Sequence, residues 1–150
     1  MAAGARRAAR RRAVELVFEA FQRGLAPLAV LAERAAAAQA DGADGADGAG
    51  GAAGPAPYTR RLVEGVAARQ DLISEWLDSY AQGWPQLRMP GVDRAILYVG
   101  AYEVVFEDEV ADAVAIGEAA NLAGRLSTDK SAGFVSGLLG RLSKLKPTLV

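Results

Sequence analysis

The sequence predicts an all-α protein, and three observations lead to that fold class. Apolar residues recur at intervals of three and four along most of the chain, which places them on one face of an α-helix. No stretch alternates between apolar and polar residues with the period of two that a half-buried strand requires. Apolar residues make up 51% of the 150 residues, so the chain can bury a core. The length predicts one domain, 1–150, either compact or built from two tightly packed helical halves.

The first two helices are predicted from their apolar faces and their end signals. Residues 5–23 form the first, and Gly24 ends it. Its apolar face consists of Val14, Val17, Phe18 and Phe21. Residues 26–40 form the second helix, with Pro27 near its start, where a missing N–H group costs nothing.

Residues 41–57 read DGADGADGAGGAAGPAP, a low-complexity segment with almost nothing to bury. Ordering such a segment is not compensated by burial, so we predict a flexible surface insert between two helices. A flexible chain of this length spans about 23 Å between its ends.

Five further helices are predicted after the insert. The third includes residues 62–66, and the fourth begins at Asp71, whose side chain is predicted to cap it. The last three cover residues 92–107, 112–126 and 131–144. The polar residues 127–129 are predicted to form the turn and cap before the last of these helices.

Cysteine and histidine are both absent from the chain. Thiolate chemistry, disulfides, histidine triads and the commonest metal ligands are therefore excluded. No apolar run approaches the roughly 20 residues that a membrane span needs. We predict a cytoplasmic protein that is not an enzyme and that uses no cofactor or metal.

The N-terminus carries a cluster of five arginines, Arg6, Arg7, Arg10, Arg11 and Arg12. The rest of the chain holds 12 basic and 18 acidic residues, so the charge is unevenly distributed. Like charges at helical spacing repel each other, and the phosphates of a nucleic acid supply the missing counter-charge. The pattern predicts an RNA- or DNA-binding arm; a solvated terminus and an organelle transit peptide are the alternatives.

Two other features of the sequence have a functional and a structural interpretation. Residues 103–118 contain six acidic and no basic residues, which indicates a solvated face or a surface for a basic protein more than a metal or acid–base site. Phe134 follows Lys130 near a helix start, where both side chains can reach a nucleotide. An aromatic residue at helical spacing is more often part of the core.

Four segments of the chain carry a family resemblance. The first two are RRRAVELVFEA at 10–20 and YTRRLVEGV at 58–66. The third consists of VDRAIL at 92–97 and GAYE at 100–103. The fourth consists of AVAI at 113–116, Glu118, LA at 122–123, STDKS at 127–131, FV at 134–135 and Gly137. In order and spacing these segments resemble the actinobacterial form of the NusB family of transcription antitermination factors. The resemblance covers nearly the whole chain outside the insert.

The resemblance implies two packed small helical bundles and a defined set of partners. It implies binding to the boxA element of ribosomal RNA operon transcripts, together with ribosomal protein S10, so that RNA polymerase does not terminate prematurely. By position, the five arginines, Lys130 and Phe134 correspond to RNA contacts. Asp93, Tyr102 and Glu103 correspond to the helix that faces S10, and the acidic Glu118 is assigned to the same partner surface.

The chain also departs from the family pattern. Tyr98 and Gly124 stand where cations are usual, Ser136 replaces Asn, and Ala111 and Gly117 are also unusual. A helical glycine costs about 0.5–1 kcal/mol relative to alanine, so we expect a looser sixth helix and weaker binding.

Two alternative functions remain. One is an RNA-targeting module related to the N-terminal domain of ribosomal RNA cytosine methyltransferases, which would be followed by a Gly-rich nucleotide-binding fold. The other is a structural helical homodimer that buries its RNA-binding surface.

Overall fold

The computed structural model describes residues 3–41, 50–51 and 54–150. Within these residues the chain forms seven α-helices, one short 3-10 helix and a pair of two-residue strands. In chain order they are α1 (Ala3–Arg23), α2 (Pro27–Asp41), β1 (Gly50–Gly51), β2 (Gly54–Pro55), α3 (Pro57–Ala68), α4 (Gln70–Tyr80), the 3-10 helix (Gln86–Arg88), α5 (Gly91–Phe106), α6 (Asp112–Leu126) and α7 (Asp129–Leu149). The predicted all-α class is confirmed.

The chain divides into two compact units, unit 1 (Met1–Ala68) and unit 2 (Arg69–Val150). Each unit is a small helical bundle, built from α1–α3 in unit 1 and from α4–α7 in unit 2. In the ranges given above, no helix combines the length and the apolar character needed to cross a bilayer.

The core of unit 1 forms where the apolar faces of its three helices meet. The side chains buried there include Leu16, Val17, Val30, Leu62, Val63 and Val66. The first helix ends where the sequence predicts, because Gly24 adopts a φ of 67°, a left-handed conformation that only glycine adopts without strain. This turn reverses the chain and lets α2 pack against α1.

Both ends of the predicted insert belong to the neighbouring helices. Asp41 still belongs to α2, and Pro57 already begins α3. Between them β1 and β2 pair in antiparallel fashion, with Gly50 opposite Pro55. Flexibility is predicted for the whole of 41–57, and residues 42–49 and 52–53 of this segment lie outside the described residues.

A cluster of four charged side chains joins α1 and α2. Arg23 Nη1 lies 2.7 Å from Glu19 Oε2 and 2.8 Å from Glu33 Oε1, and Arg34 also pairs with Glu19. The hydrogen bonds from Arg23 hold the pKa of Glu19 and that of Glu33 below their usual range. The two helices are therefore linked by carboxylates that stay ionised in mildly acidic solution.

Unit 2 is built around α5, the most completely buried helix of this unit. Its core includes Ile73, Leu77, Ile96, Leu97, Leu139 and Leu142. Gly100 permits the close approach of α5 and α7, because a Cβ atom there would come within 2.7 Å of a methyl carbon of Leu139. A larger residue at this position would require the buried Leu139 side chain to move.

Two helix starts in unit 2 differ from the sequence prediction. Asp71 lies inside the first turn of α4 and does not cap it; Arg69 occupies the cap position without a side-chain hydrogen bond, so that prediction was wrong. Thr128 caps α7 by accepting a 3.0 Å hydrogen bond from the Ser131 backbone N–H. The cap starts α7 at Asp129, two residues earlier than predicted.

Candidate nucleic-acid interface

The five N-terminal arginines of α1, at positions 6, 7, 10, 11 and 12, do not form a uniform exposed row. Arg7 and Arg11 are exposed, whereas Arg6 and Arg12 are half-buried. Arg10 is only 3% exposed, which removes it from the surface and corrects the expectation that it shares the exposed face with the others. The reason is helical geometry: Arg10 follows the buried Ala9 and precedes Ala13 and Val14 on the side of α1 that faces the core.

The remaining arginines are held in place by neighbours within unit 1. The Arg6 guanidinium lies over the ring of Tyr58, 5.4 Å from its centroid. Arg11 and Arg12 both approach Glu15, at 3.6 and 3.3 Å. Exposed ion pairs of this kind contribute at most about 1 kcal/mol, so a phosphate can replace the carboxylate at little cost.

A buried hydrogen bond fixes α3 against the basic helix. Thr59 Oγ1 donates to the backbone carbonyl of Ala9 over 2.9 Å, and neither residue is accessible to solvent. Because Tyr58 precedes Thr59, this bond also sets the position of the ring beneath Arg6. The sequence predicted the arginines but gave no indication of this support.

Unit 2 contains a cavity of about 520 Å³ beside the start of α7. Its lining consists of Gln82, Gly83, Trp84, Pro90, Thr128, Lys130, Ser131 and Phe134. The rings of Trp84 and Phe134 meet edge to face, with centroids 4.6 Å apart at an interplanar angle of 80°. Lys130 is exposed at the same cavity, so the structure brings together the two residues predicted at this turn.

A buried polar network supports the cavity wall. Ser131 Oγ donates a 2.6 Å hydrogen bond to Asp93 Oδ2, and Ser131 also bonds to the Thr128 cap. Asp93 is fully buried, and its Oδ1 atom has no hydrogen-bond partner. The network therefore ties the first turn of α7 to α5 through a single carboxylate.

Burial corrects the assignment of Asp93, Tyr102 and Glu103 to a partner-facing surface. Asp93 and Glu103 are 0% exposed and Tyr102 is 8% exposed. The Tyr102 hydroxyl donates to the buried Glu107 over 2.8 Å. These side chains face inward because α5 is the central helix of unit 2, a position that its apolar periodicity alone did not reveal.

The acidic segment 103–118 is therefore divided between core and surface. Asp108 and Glu109 are exposed in the turn between α5 and α6, and Glu118 is half-buried on α6. Asp112 accepts hydrogen bonds from Ser143 and Lys146 at 2.6 and 3.0 Å. Burial raises the pKa of Asp112, but these bonds and the Lys146 charge outweigh it and hold the pKa below its usual value.

The unusual Tyr98 has a structural role in unit 2. Its hydroxyl donates to Gln86 Oε1 over 2.9 Å, and Gln86 Nε2 in turn donates to Asp78 over 2.7 Å. These bonds hold the 3-10 helix against α4. The helix α6 continues without interruption through Gly117 and Gly124, where a looser helix was expected.

Sequence reasoning did not identify several residues around Phe134. A second cavity of about 220 Å³ is lined by Tyr80, Gln82, Gly133, Phe134, Gly137, Leu138 and Arg141. It shares Gln82 and Phe134 with the larger cavity. The spacing of 130, 134, 137 and 141 on one helical face was the available signal. Among the described residues, no cluster of carboxylates, histidines or cysteines is arranged to hold a metal ion.

Comparisons with known proteins connect these surfaces to a family. The model of the NusB family matches residues 7–144. Transcription antitermination protein NusB of Paenarthrobacter aurescens is 48% identical over 146 residues, which cover 97% of this chain and 98% of that protein. The protein of the same name from Beutenbergia cavernae is 50% identical, over 97% of this chain and 93% of its own length.

A solved structure agrees with these sequence matches. The structure of T. maritima NusB has a TM-score of 0.70 and 27% identity, and the match covers 93% of this chain and 90% of that one. NusB proteins are non-enzymatic transcription factors, which confirms the prediction that the chain is not an enzyme. A family model that spans most of the chain, together with relatives about half identical over nearly their full length, shows that the chain belongs to the NusB family of transcription antitermination proteins.

Proposed function

We propose that the chain binds single-stranded boxA-type RNA of ribosomal RNA operon transcripts, in the cytoplasm and together with ribosomal protein S10. The resulting complex joins RNA polymerase and prevents premature termination. Two facts support the proposal: the relatives are named transcription antitermination proteins, and the chain carries exposed cations and an aromatic cavity suited to RNA.

The aromatic cavity in unit 2 is the observation that carries the proposal. Single-stranded RNA is recognised by stacking unpaired bases on aromatic rings, with cations nearby for the phosphates. Phe134 is half-buried at the cavity, its edge contact with Trp84 fixes the ring, and Lys130 supplies the cation. No acidic side chain lines the cavity, which favours an anionic ligand.

The arginines of α1 contribute affinity in this proposal but no sequence preference. Contacts to phosphates position a nucleic acid, whereas base contacts specify it. Without the buried Arg10, four arginines remain available, Arg6, Arg7, Arg11 and Arg12. If all four contact phosphates of a single strand, they contribute up to about −2.8 to the slope of log K against log salt concentration.

A basic protein partner such as S10 is proposed to meet the acidic side chains that remain at the surface. These are Asp108 and Glu109, with the half-buried Glu118 beside them in the same unit. Charge complementarity of this kind favours rapid and specific association. The buried Asp93, Tyr102 and Glu103 then act by holding α5 in place, without touching the partner.

The test is an affinity measurement of the full chain for a boxA-containing RNA, with and without S10. A scrambled RNA of equal length is the control. We expect tighter binding to boxA than to the scrambled RNA, and a further gain when S10 is present. Equal, weak binding to both RNAs at low ionic strength, with no effect of S10, would reject the proposal.

A further inference from the structure

The two cavities of unit 2 lie side by side on one face of α7. They share Gln82 and Phe134. The lining that α7 and its cap contribute extends from Thr128 to Arg141, and the opposite lining comes from residues within 80–84 and Pro90. We call this pair of cavities the α7 groove. From Lys130 to Arg141 the helix rises about 16 Å, several times the 3.4 Å rise per nucleotide of a paired strand.

The second cavity is open because two glycines form part of its lining. Gly133 and Gly137 are exposed, and a Cβ atom added at either position would meet nothing within 4 Å. Both residues have ordinary helical backbone, so the space is not needed for a turn. The groove therefore keeps room for a ligand beyond Phe134.

Arg141 places a second positive charge at the far end of the groove. Its Nη1 atom donates to the Tyr80 carbonyl over 3.2 Å, and its Nη2 atom donates to Gln82 Oε1 over 3.4 Å. Both acceptors are neutral, and a guanidinium has five N–H donors, so charge and donors remain for an anion. No Asp or Glu lines either cavity.

The α7 groove has a cation near each end, aromatic rings between them and open space over Gly133 and Gly137. These features fit a single-stranded nucleic acid. We propose that the α7 groove binds more than one nucleotide of RNA, with one base at Trp84 and Phe134. The next nucleotide lies over Gly133 and Gly137, with its phosphate bound by Arg141. This inference rests on the proposed function and assigns a second nucleotide subsite to it.

The first test fills the second cavity without weakening the helix. Gly137→Leu adds a side chain to the cavity, and leucine is a better helix former than glycine, so the variant stays folded. Gly117→Leu is the matched control, because Gly117 is an exposed glycine of α6 with the same open surroundings and lies outside both cavities. We expect Gly137→Leu to weaken binding of boxA RNA about 5-fold or more, and Gly117→Leu to leave it unchanged.

The second test removes the charge at the end of the groove. Arg141→Gln should reduce the steepness of the salt dependence by about 0.7, the value of one phosphate contact on a single strand. Arg141→Lys should retain the wild-type slope, which separates the charge from the hydrogen bonds to Tyr80 and Gln82. Arg125→Gln is the control, since Arg125 is exposed on α6 and lines neither cavity.

The outcomes distinguish this inference from the function on which it rests. If the wild-type chain binds boxA RNA while Gly137→Leu and Arg141→Gln bind equally well with the same salt slope, the second subsite is refuted and the proposed function stands. If Gly137→Leu loses S10 and retains RNA, the groove binds a protein and the inference is wrong. If the wild-type chain binds no RNA at all, both proposals fail together.

Discussion

The basic face of α1 in unit 1 and the α7 groove in unit 2 are both candidates for RNA contact, but they differ in physical character. The first is a set of charges on one helix, with Arg7 and Arg11 exposed. The second is a shaped, partly apolar groove with a single cation near each end. Charge alone gives affinity that salt weakens, whereas a groove that seats bases can discriminate between sequences.

The two surfaces also differ in what holds them together. Arg11 and Arg12 of α1 form weak exposed pairs with Glu15, while the groove depends on the buried bond between Ser131 and Asp93. Loss of the Ser131–Asp93 bond beneath the groove should therefore appear first as lost stability, and loss of exposed arginines from the basic face as a changed salt response.

Ser131→Ala should destabilise the protein by about 1.5–3 kcal/mol, the contribution of a hydrogen bond to a charged group. The substitution removes the hydroxyl group that donates a hydrogen bond to the buried Asp93 carboxylate. The measurement is the free energy of unfolding in urea. Ser136→Ala, on the same helix, is the control and should change stability by no more than about 0.5 kcal/mol. Equal stability of the two variants would contradict the supporting role of the network.

Phe134→Leu should weaken RNA binding by about 1–3 kcal/mol, or about 5- to 150-fold, if the ring stacks on a base. Leucine retains apolar bulk against Trp84 but has no π-face, so the loss reports stacking more than folding. The dissociation constant for boxA RNA is measured alongside the unfolding temperature. A variant that stays folded and binds like the wild type assigns Phe134 to the core alone. The salt slope should not change, because no charge is removed.

The double variant Arg7→Gln with Arg11→Gln should show the opposite behaviour. The slope of log K against log salt concentration should fall in magnitude by about 1.4, the value of two phosphate contacts on a single strand. Stability should be nearly unchanged, since both side chains are exposed. Arg23→Gln is the control, because Arg23 lies on the same helix but is bound by Glu19 and Glu33. If Arg23→Gln changed the slope as much as the double variant does, Arg7 and Arg11 would not differ from Arg23 in their contact with phosphates.

The sequence predicts the fold class well because helices depend on local order. Helical periodicity and Gly24 set the bounds of α1, and the family resemblance locates Phe134 and Lys130. Periodicity does not say which helix is central, so the burial of Asp93 and Glu103 in α5 was missed. Arg10 was missed for the same reason, since a run of arginines looks uniform until the core-facing side of the helix is known.

The groove was missed because its walls are distant in sequence. Trp84 and Phe134 are 50 residues apart, and only the packing of unit 2 brings their rings together. Arg141 lies at helical spacing from Phe134, but spacing does not show that the intervening glycines leave open space. Cavities are properties of tertiary structure, and helical spacing carries little direct signal for them.

The smallest predicted effect concerns the stability of the protein in acid. In unit 2, Asp112 is bound to Ser143 and Lys146, which holds its pKa below its usual value in the folded chain. A carboxylate whose pKa is lower in the folded than in the unfolded chain stabilises the fold at pH values above its unfolded pKa. This contribution is lost as the pH falls through the folded pKa. Asp112→Asn should therefore lower stability at neutral pH by no more than about 1 kcal/mol, as expected for a partly exposed pair.

The same variant compares the two units at low pH. Below the folded pKa of Asp112 the wild-type carboxyl is protonated, so wild type and Asp112→Asn should unfold at the same urea concentration. Glu19→Gln tests the equivalent carboxylate in unit 1, whose pKa is lowered by Arg23. Its deficit at neutral pH should likewise disappear in acid and should also shrink in high salt, because the pairs of Glu19 are partly exposed and hence screened. A stability difference for Asp112→Asn that persists unchanged at about pH 2 would show that packing, and not the charge on Asp112, joins α6 to α7.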